Sequence, residues 1–416
     1  MPFRFLHLAD LHLETRFGGS EATRARLREA TLEAFGAAVD LALERELDAV
    51  LIAGDTFDDP LLSRRTELAF VRGLRRLAEG GTDVVIACGN HDPGGGDKRM
   101  SALGLDHGED WRERIHLLKS ARPRVLRLTG RDGREVGVVV GAGHSSENEQ
   151  RNLAERFPPV EADVPVVGLL HTQVHSARGS AEHAPYAPST RDDLERLGYD
   201  YLALGHVHLR QRPFEDLPAW YAGNLQGRNS RERGEKGGLL VELYPGEPAT
   251  PEFVSLAPVL WDKLRVEDLG ACCTAQDLLE HLTAVVRDQV ATSPDHEVVL
   301  VLELVGTSRA ASALREPDDR RAFEEDVAEA GGALEVQLRA DGLRPLRDLD
   351  AVRSVPSVVG QALELLELAR TDSGVLAELL PEHLAGVDDA DPAEYLRTLL
   401  DGLQEELLDR ALEDPA

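Results

Sequence analysis

Five short apolar runs, most of them rich in β-branched residues, punctuate the first half of the chain, and each stops at a polar cluster. Residues 84–88 (VVIAC) run into Gly89-Asn90-His91-Asp92. Residues 4–9 run into Asp10-Leu11-His12, and residues 49–53 into Gly54-Asp55-Thr56-Phe57-Asp58. Residues 201–204 run into Gly205-His206-Val207-His208, and residues 166–170 end at His171. Runs of this length bounded by turn residues predict buried strands. Longer stretches at 22–47 and 62–78 predict helices between them. Strand–helix alternation predicts a layered α/β domain over residues 1–258. Open α/β sheets place their sites at such strand ends.

Further along, residues 124–128 and 135–140 predict two strands, with Asp132-Gly133 as a hairpin signal. Residues 176–190 form a polar loop holding His183 and Tyr186, followed by a short helix at 192–197. After residue 258 the texture changes. Strands are predicted at 260–266, 298–305 and 334–338, with helices at 275–290 and 317–330. This reads as a small α/β domain over 259–345. Residues 346–416 read as leucine-rich helices with acidic surfaces. There Asp391-Pro392-Ala393-Glu394 forms a helix start and Leu396, Leu399, Leu400, Leu403 and Leu407 an apolar stripe. The stripe fits either packing within the chain or docking on a partner.

Charge divides the chain the same way. Residues 1–258 carry a net charge of −8 and residues 259–416 a net of −21. That balance argues against strong unaided binding to nucleic acid and leaves room for metals, a local basic strip or a basic partner. Three cysteines in 416 residues do not make a disulfide framework. No apolar run reaches membrane-spanning length and no secretory leader is apparent, so a cytoplasmic home is expected.

The strand ends deliver Asp, His and Asn. Asp10 and His12 lie two apart, as do His206 and His208, and alternate residues of an extended segment share a face. Such a donor set suits divalent ions such as Mn, Fe or Zn. Seven candidates, Asp10, His12, Asp55, Asn90, His171, His206 and His208, exceed the needs of one ion, so two metals are expected. Any single His or Asp of this kind would be read as a surface or capping residue; five stretches together carry the expectation. His7 is read as a packed core histidine, Cys88 as a small core hydrophobe, and His175 and His183 as loop residues. Cys272-Cys273 has no partner at zinc-finger spacing. Arg228, Arg231, Arg233 and Lys236 form a basic strip that is either a solvated loop or a phosphate contact beside the metals.

The series DxH, GDxxD, GNHD, a lone His and GHxH, in that order, resembles the calcineurin-like metallophosphoesterases. The opening FRFLHLADLHL narrows the resemblance to SbcD-type DNA repair exonucleases, and YAP (186–188), GYDYLALGHVH (198–208) and GNLQGR (223–228) resemble the YhaO branch. Asn229 departs from the His often found there in that branch. The resemblance implies a four-layer β-sandwich flanked by helices, with residues 259–345 as a capping domain and 346–416 as a partner-binding region. It implies one ion held by Asp10, His12, Asp55 and His208 and a second held by Asp55, Asn90, His171 and His206. His91 would be the general acid, oriented by Asp58, and Arg228 and Arg231 would contact substrate. The implied activity is Mn-dependent 3′→5′ exonuclease on duplex DNA ends, with endonuclease activity on single strands or hairpins. The implied partner is an SbcC-like ATPase with long coiled coils, with monomer or homodimer left open. A phosphatase or cyclic-nucleotide phosphodiesterase on the same scaffold is the alternative; the additional C-terminal residues weigh against it.

Overall fold

A computed structural model describes residues 2–58, 61–95, 110–179, 184–346, 352–354, 356–378, 400, 403, 404 and 407. His183 and most of residues 391–416, including the proposed helix start, lie outside the described residues.

The strands, in chain order, begin with β1 (Phe3–Leu8), β2 (Ala49–Ala53), β3 (Asp83–Ala87) and β4 (Ile115–Leu118). Then come β5 (Arg124–Thr129), β6 (Glu135–Gly141), β7 (Val166–His171), β8 (Tyr201–Gly205) and β9 (Ala219–Tyr221). The next two are β10 (Gly237–Leu243) and β11 (Glu252–Ser255). The last three are β12 (Val259–Val266), β13 (Glu297–Ser308) and β14 (Glu335–Pro345).

Two sheets stack face to face. One has the order β11-β10-β1-β2-β3-β4, the other β5-β6-β7-β8-β9. Alternate residues of the central strands face opposite layers. Phe3, Phe5, Leu51 and Val85 meet Val139, Val167, Leu169 and Tyr201 between the sheets. Leu6, Leu8, Val50, Ile52, Val84 and Ile86 face helices α1 (Glu21–Glu44) and α2 (Arg64–Glu79). The outer face of the second sheet is covered by Leu153, Ala154 and Phe157, and by Leu194 and Leu197 of α3 (Arg191–Leu197). Strands buried on both faces read as continuous apolar runs. The result is the four-layer arrangement of helix, sheet, sheet and helix.

Helix α1 stops three residues before the predicted end. Glu46 adopts φ 51°, and Leu47 N donates back to Ala42 O at 2.9 Å, so Leu47 joins the core after the helix has turned off.

The remaining strands form a separate parallel sheet, β12-β13-β14. Helices α4 (Ala275–Val290) and α5 (Pro317–Gly331) cover one of its faces around Leu278, Leu282, Leu300 and Leu302. The opposite face, with Val259, Trp261 and Val299, packs on Phe17, Leu27 and Ala30. Strand β14 runs seven residues beyond the predicted end. Those residues are held by backbone pairing with β13, from Val305↔Gly342 to Ser308↔Pro345, rather than by burial. Beyond it, α6 (Val358–Thr371) exposes Val358, Leu365 and Leu368. No helix among the described residues is long and apolar enough to cross a membrane.

Candidate metal centre

Strands β1, β2 and β3 run parallel, as do β7 and β8, with Ala53 opposite Ala87 and His171 opposite Gly205. Parallel strands release their loops at one edge. That edge gathers Asp10, His12, Asp55, Asp58, Asn90 and His91 from the first sheet and His171, His206 and His208 from the second. All seven predicted metal donors therefore meet, together with His91 and Asp58.

The pleat does not bring Asp10 and His12 together, contrary to the expectation from their spacing. Strand β1 ends at Leu8, and Asp10, His12, Asp55 and His206 all adopt positive φ, at 49°, 46°, 48° and 101°. A left-handed turn aims the two side chains instead, and such conformations cost about 1–2 kcal/mol per residue outside glycine. Backbone bonds from Asp10 N to Gly54 O (3.1 Å) and His12 N to Asp55 O (3.0 Å) hold the turn. Two glycines allow the loops to close. A Cβ on Gly54 would lie 2.2 Å from His171 Nδ1, and one on Gly205 would lie 1.9 Å from Ala53 O.

Each imidazole spends one nitrogen on the protein and turns the other inward. His171 Nδ1 donates to Ala53 O at 2.8 Å, and His206 Nε2 donates to Ala184 O at 2.9 Å. His12 Nδ1 lies 3.2 Å from Asp58 Oδ1, and His208 Nδ1 lies 2.7 Å from Glu232 Oε1. Metal-binding histidines are oriented in this way. The inward atoms then meet as acceptors. His12 Nε2 and His208 Nε2 are 3.1 Å apart, and Asn90 Oδ1 lies 3.0 Å from His171 Nε2 and 3.2 Å from His206 Nδ1. Asp55 Oδ2 is 3.4 Å from His171 Nε2 and 3.9 Å from His12 Nε2, so it reaches both groups. Donor atoms of Asp10, His12 and His208 lie within 4.8 Å of one another, as do those of Asp10, Asp55 and His171. Converging acceptors need cations between them, so these residues fit a pair of divalent ions.

Their electrostatics point the same way. Burial pushes the Asp10 carboxyl up to about 7, with Asp55 adding to the effect. Burial pushes His171 down, but the charges of Asp55 and Asp10 outweigh it and carry the imidazole up to about 9. Burial holds His208 well below the usual histidine range. Protons thus occupy in part the place that ions would take.

Asp58 Oδ1 lies 2.8 Å from His91 Nδ1, and its bond to His12 gives it a second task that its place in GDxxD did not suggest. His91 is half-exposed above the cluster. Arg228 is not a free cation. Its side chain is paired with Glu232, 3.0 Å from Nη2 to Oε1, and sits against His208. Lys236 is buried, with Nζ 3.3 Å from His208 O. Arg231 and Arg233 are exposed. With Leu209 and Gly179, these four basic residues line a cavity of about 410 Å³ beside His208.

Three residues of the centre have roles that the sequence pattern does not assign. Asp92, the last residue of GNHD, is buried and accepts from Thr56 N (2.8 Å) and Gly89 N (2.7 Å), clamping two of the loops. His144 Nε2 donates to His171 O at 2.8 Å. Glu232 is hidden within a stretch that reads as basic. His7 is in the core, bonded to Tyr201 Oη at 3.1 Å.

Residues 3–210 match the calcineurin-like phosphoesterases. The uncharacterized metallophosphoesterase YhaO of Bacillus subtilis is 35% identical over 269 residues, covering 63% of this chain and 62% of its own length. The DNA double-strand break repair protein Mre11 of Methanopyrus kandleri is 27% identical, covering 89% of this chain and 83% of its own. A component of the SbcCD nuclease of Bacillus subtilis is 26% identical, covering 61% of this chain and 70% of its own. The chain therefore spans somewhat less than two thirds of the YhaO relative. With half of its length matched by the family and a donor set that fits two ions at the matched strand ends, the chain belongs to the calcineurin-like phosphoesterases.

Proposed function

We propose that the chain is a two-metal DNA phosphodiesterase, the nuclease component of a repair complex with a coiled-coil ATPase of the SbcC kind. The relatives named for DNA double-strand break repair and for the SbcCD nuclease support this reading. The observation that carries it is the pair of acceptor clusters fused through Asp55 and Asp10. Asp10, His12, Asp55 and His208 would hold one ion, and Asp55, Asn90, His171 and His206 the other. Manganese suits this mixture of carboxylate, amide and imidazole donors.

When bound, two such ions would polarise the phosphodiester and make water a stronger nucleophile at neutral pH. The chain's own residues do the rest. His91, tied by Nδ1 to Asp58, offers Nε2 to the leaving oxygen and donates the proton that it requires. Asp58 fixes its tautomer. Arg231 and Arg233, exposed at the cavity beside His208, position neighbouring phosphates without reading sequence, and Arg228 acts from the second rank through Glu232. Residues 259–345 would cap the substrate, and residues 346–416 would dock the ATPase. The preferred activity would be 3′→5′ exonuclease on duplex ends, with endonuclease on hairpins or single strands, in the cytoplasm.

End-labelled duplex, single-stranded and hairpin DNA incubated with the protein and Mn²⁺ tests the reading. Ladders that shorten from the 3′ end, abolished by chelation, are expected. Hydrolysis of phosphomonoesters alone would instead favour a phosphatase.

A further inference from the structure

The loop at residues 224–234 joins two parts of the molecule. At its start, Asn224 pairs with Ala9, the residue before Asp10, and Leu225 N donates to Asp10 O at 3.4 Å. On its far side it is bonded to β12, the first strand of the small sheet. Trp261 Nε1 donates to Gly227 O at 3.0 Å, Gly234 N to Trp261 O at 3.0 Å, and Gln226 Nε2 to Val259 O at 2.8 Å. Glu232 stands between these anchors. Its Oε1 lies 2.7 Å from His208 Nδ1, and its Oε2 accepts from Asn224 Nδ2 (2.7 Å) and Arg228 N (2.8 Å).

We propose that Glu232 is the positioning residue for His208 and that Trp261 holds it in place, so that the seating of the small sheet is felt at one of the two ion positions. The inference rests on the two-metal reading of the site. A carboxylate at this position accepts the Nδ1 proton, which fixes the tautomer, aims Nε2 and raises its basicity. Arg228 Nη2 also lies 2.9 Å from Nδ1, and Oε1 accepts from both while Oε2 accepts from Asn224 Nδ2 and Arg228 N. An amide has one accepting oxygen for these donors, so its NH2 would face either His208 Nδ1 or Asn224 Nδ2 and the hold on His208 would weaken. The effect belongs to one ion because the other histidines are oriented differently. His171 and His206 lean on the backbone oxygens of Ala53 and Ala184, which Glu232 does not touch. Trp261 supplies the link because it is buried and its indole N–H is a directional bond to the loop that carries Glu232.

Titration of the metal-free protein with Co²⁺, followed by visible absorption, tests this without any substrate. Wild type should take up two equivalents. Glu232→Gln should weaken one equivalent by about 10- to 100-fold and change its absorption bands, and leave the other in place. Glu232→Asp, which keeps the acceptor, should recover part of the loss. Trp261→Phe keeps the ring but not the N–H, and should weaken the same equivalent by a smaller factor. Two wild-type equivalents with unaltered bands in Glu232→Gln would overturn the positioning role, and equal weakening of both would overturn its confinement to one ion. Wild-type behaviour of Trp261→Phe would overturn the link to the small sheet. A wild-type protein that takes up no Co²⁺ would defeat the two-metal reading and this inference with it.

Discussion

His12 and His208 reach each other from different sheets, and their Nε2 atoms face one another at 3.1 Å. Nδ1 of each lies against a carboxylate, and that of His208 also 2.9 Å from Arg228 Nη2, so the gap between the Nε2 atoms can hold a cation. Elsewhere in the cluster ions and protons compete. Asp10, pushed up to about 7, and His171, pushed up to about 9, are both protonated at low pH in the metal-free protein. Each must lose its proton to bind an ion, so affinity is expected to rise with pH through both values and to level off above them. Calorimetry in buffers of different ionisation enthalpy should show proton release near neutral pH. Affinity that is flat from about pH 6 to about pH 9 would contradict the competition.

Asp55 reaches both donor groups and also accepts from His91 N at 2.9 Å. Asp55→Ala is expected to remove both ions and all hydrolysis, while the strands on either side preserve the fold. Elemental analysis of bound manganese alongside circular dichroism reads both. Retention of two ions would refute its bridging place.

His91→Ala should behave differently, since it removes the proposed proton donor and none of the metal donors. Both ions should stay while turnover falls by roughly 10²–10⁴-fold. A nitrophenyl phosphodiester, whose leaving group needs no proton, should recover much of the rate. Loss of an ion in this variant would make His91 a ligand.

Gly205→Ala places a methyl group 1.9 Å from Ala53 O, a backbone atom that cannot step aside without moving β2. Overpacking of this kind costs about 1–3 kcal/mol, and a lower melting temperature is expected. An unchanged melting curve would mean that the two sheets are less tightly opposed at this edge than the distance implies.

The seven donors were legible because each closes an apolar run, and the parallel strands turn sequence ends into one spatial edge. What was not legible has equally physical causes. Asp10 and His12 looked like pleat neighbours, and only the backbone reveals the left-handed turn. Glu232 carries the charge opposite to the strip around it, so composition concealed a residue that binds through its contradiction. Helix α1 was overextended because Leu47 fits the apolar pattern yet serves the core from beyond the turn. The tail of β14 offers no apolar alternation and exists through its pairing with β13.

The four left-handed positions among the candidate donors also bear on when the site can form. Asp10, His12, Asp55 and His206 are held in backbone shapes that an isolated loop would abandon, so the surrounding sheets must already be assembled before the donors converge. In small zinc modules the metal drives folding; here the sheets that carry the donors have apolar cores of their own, so the fold is expected to form without metal. Loading would then follow folding. Which ions the site takes would depend on the supply around a completed scaffold rather than on the path the chain took to build it.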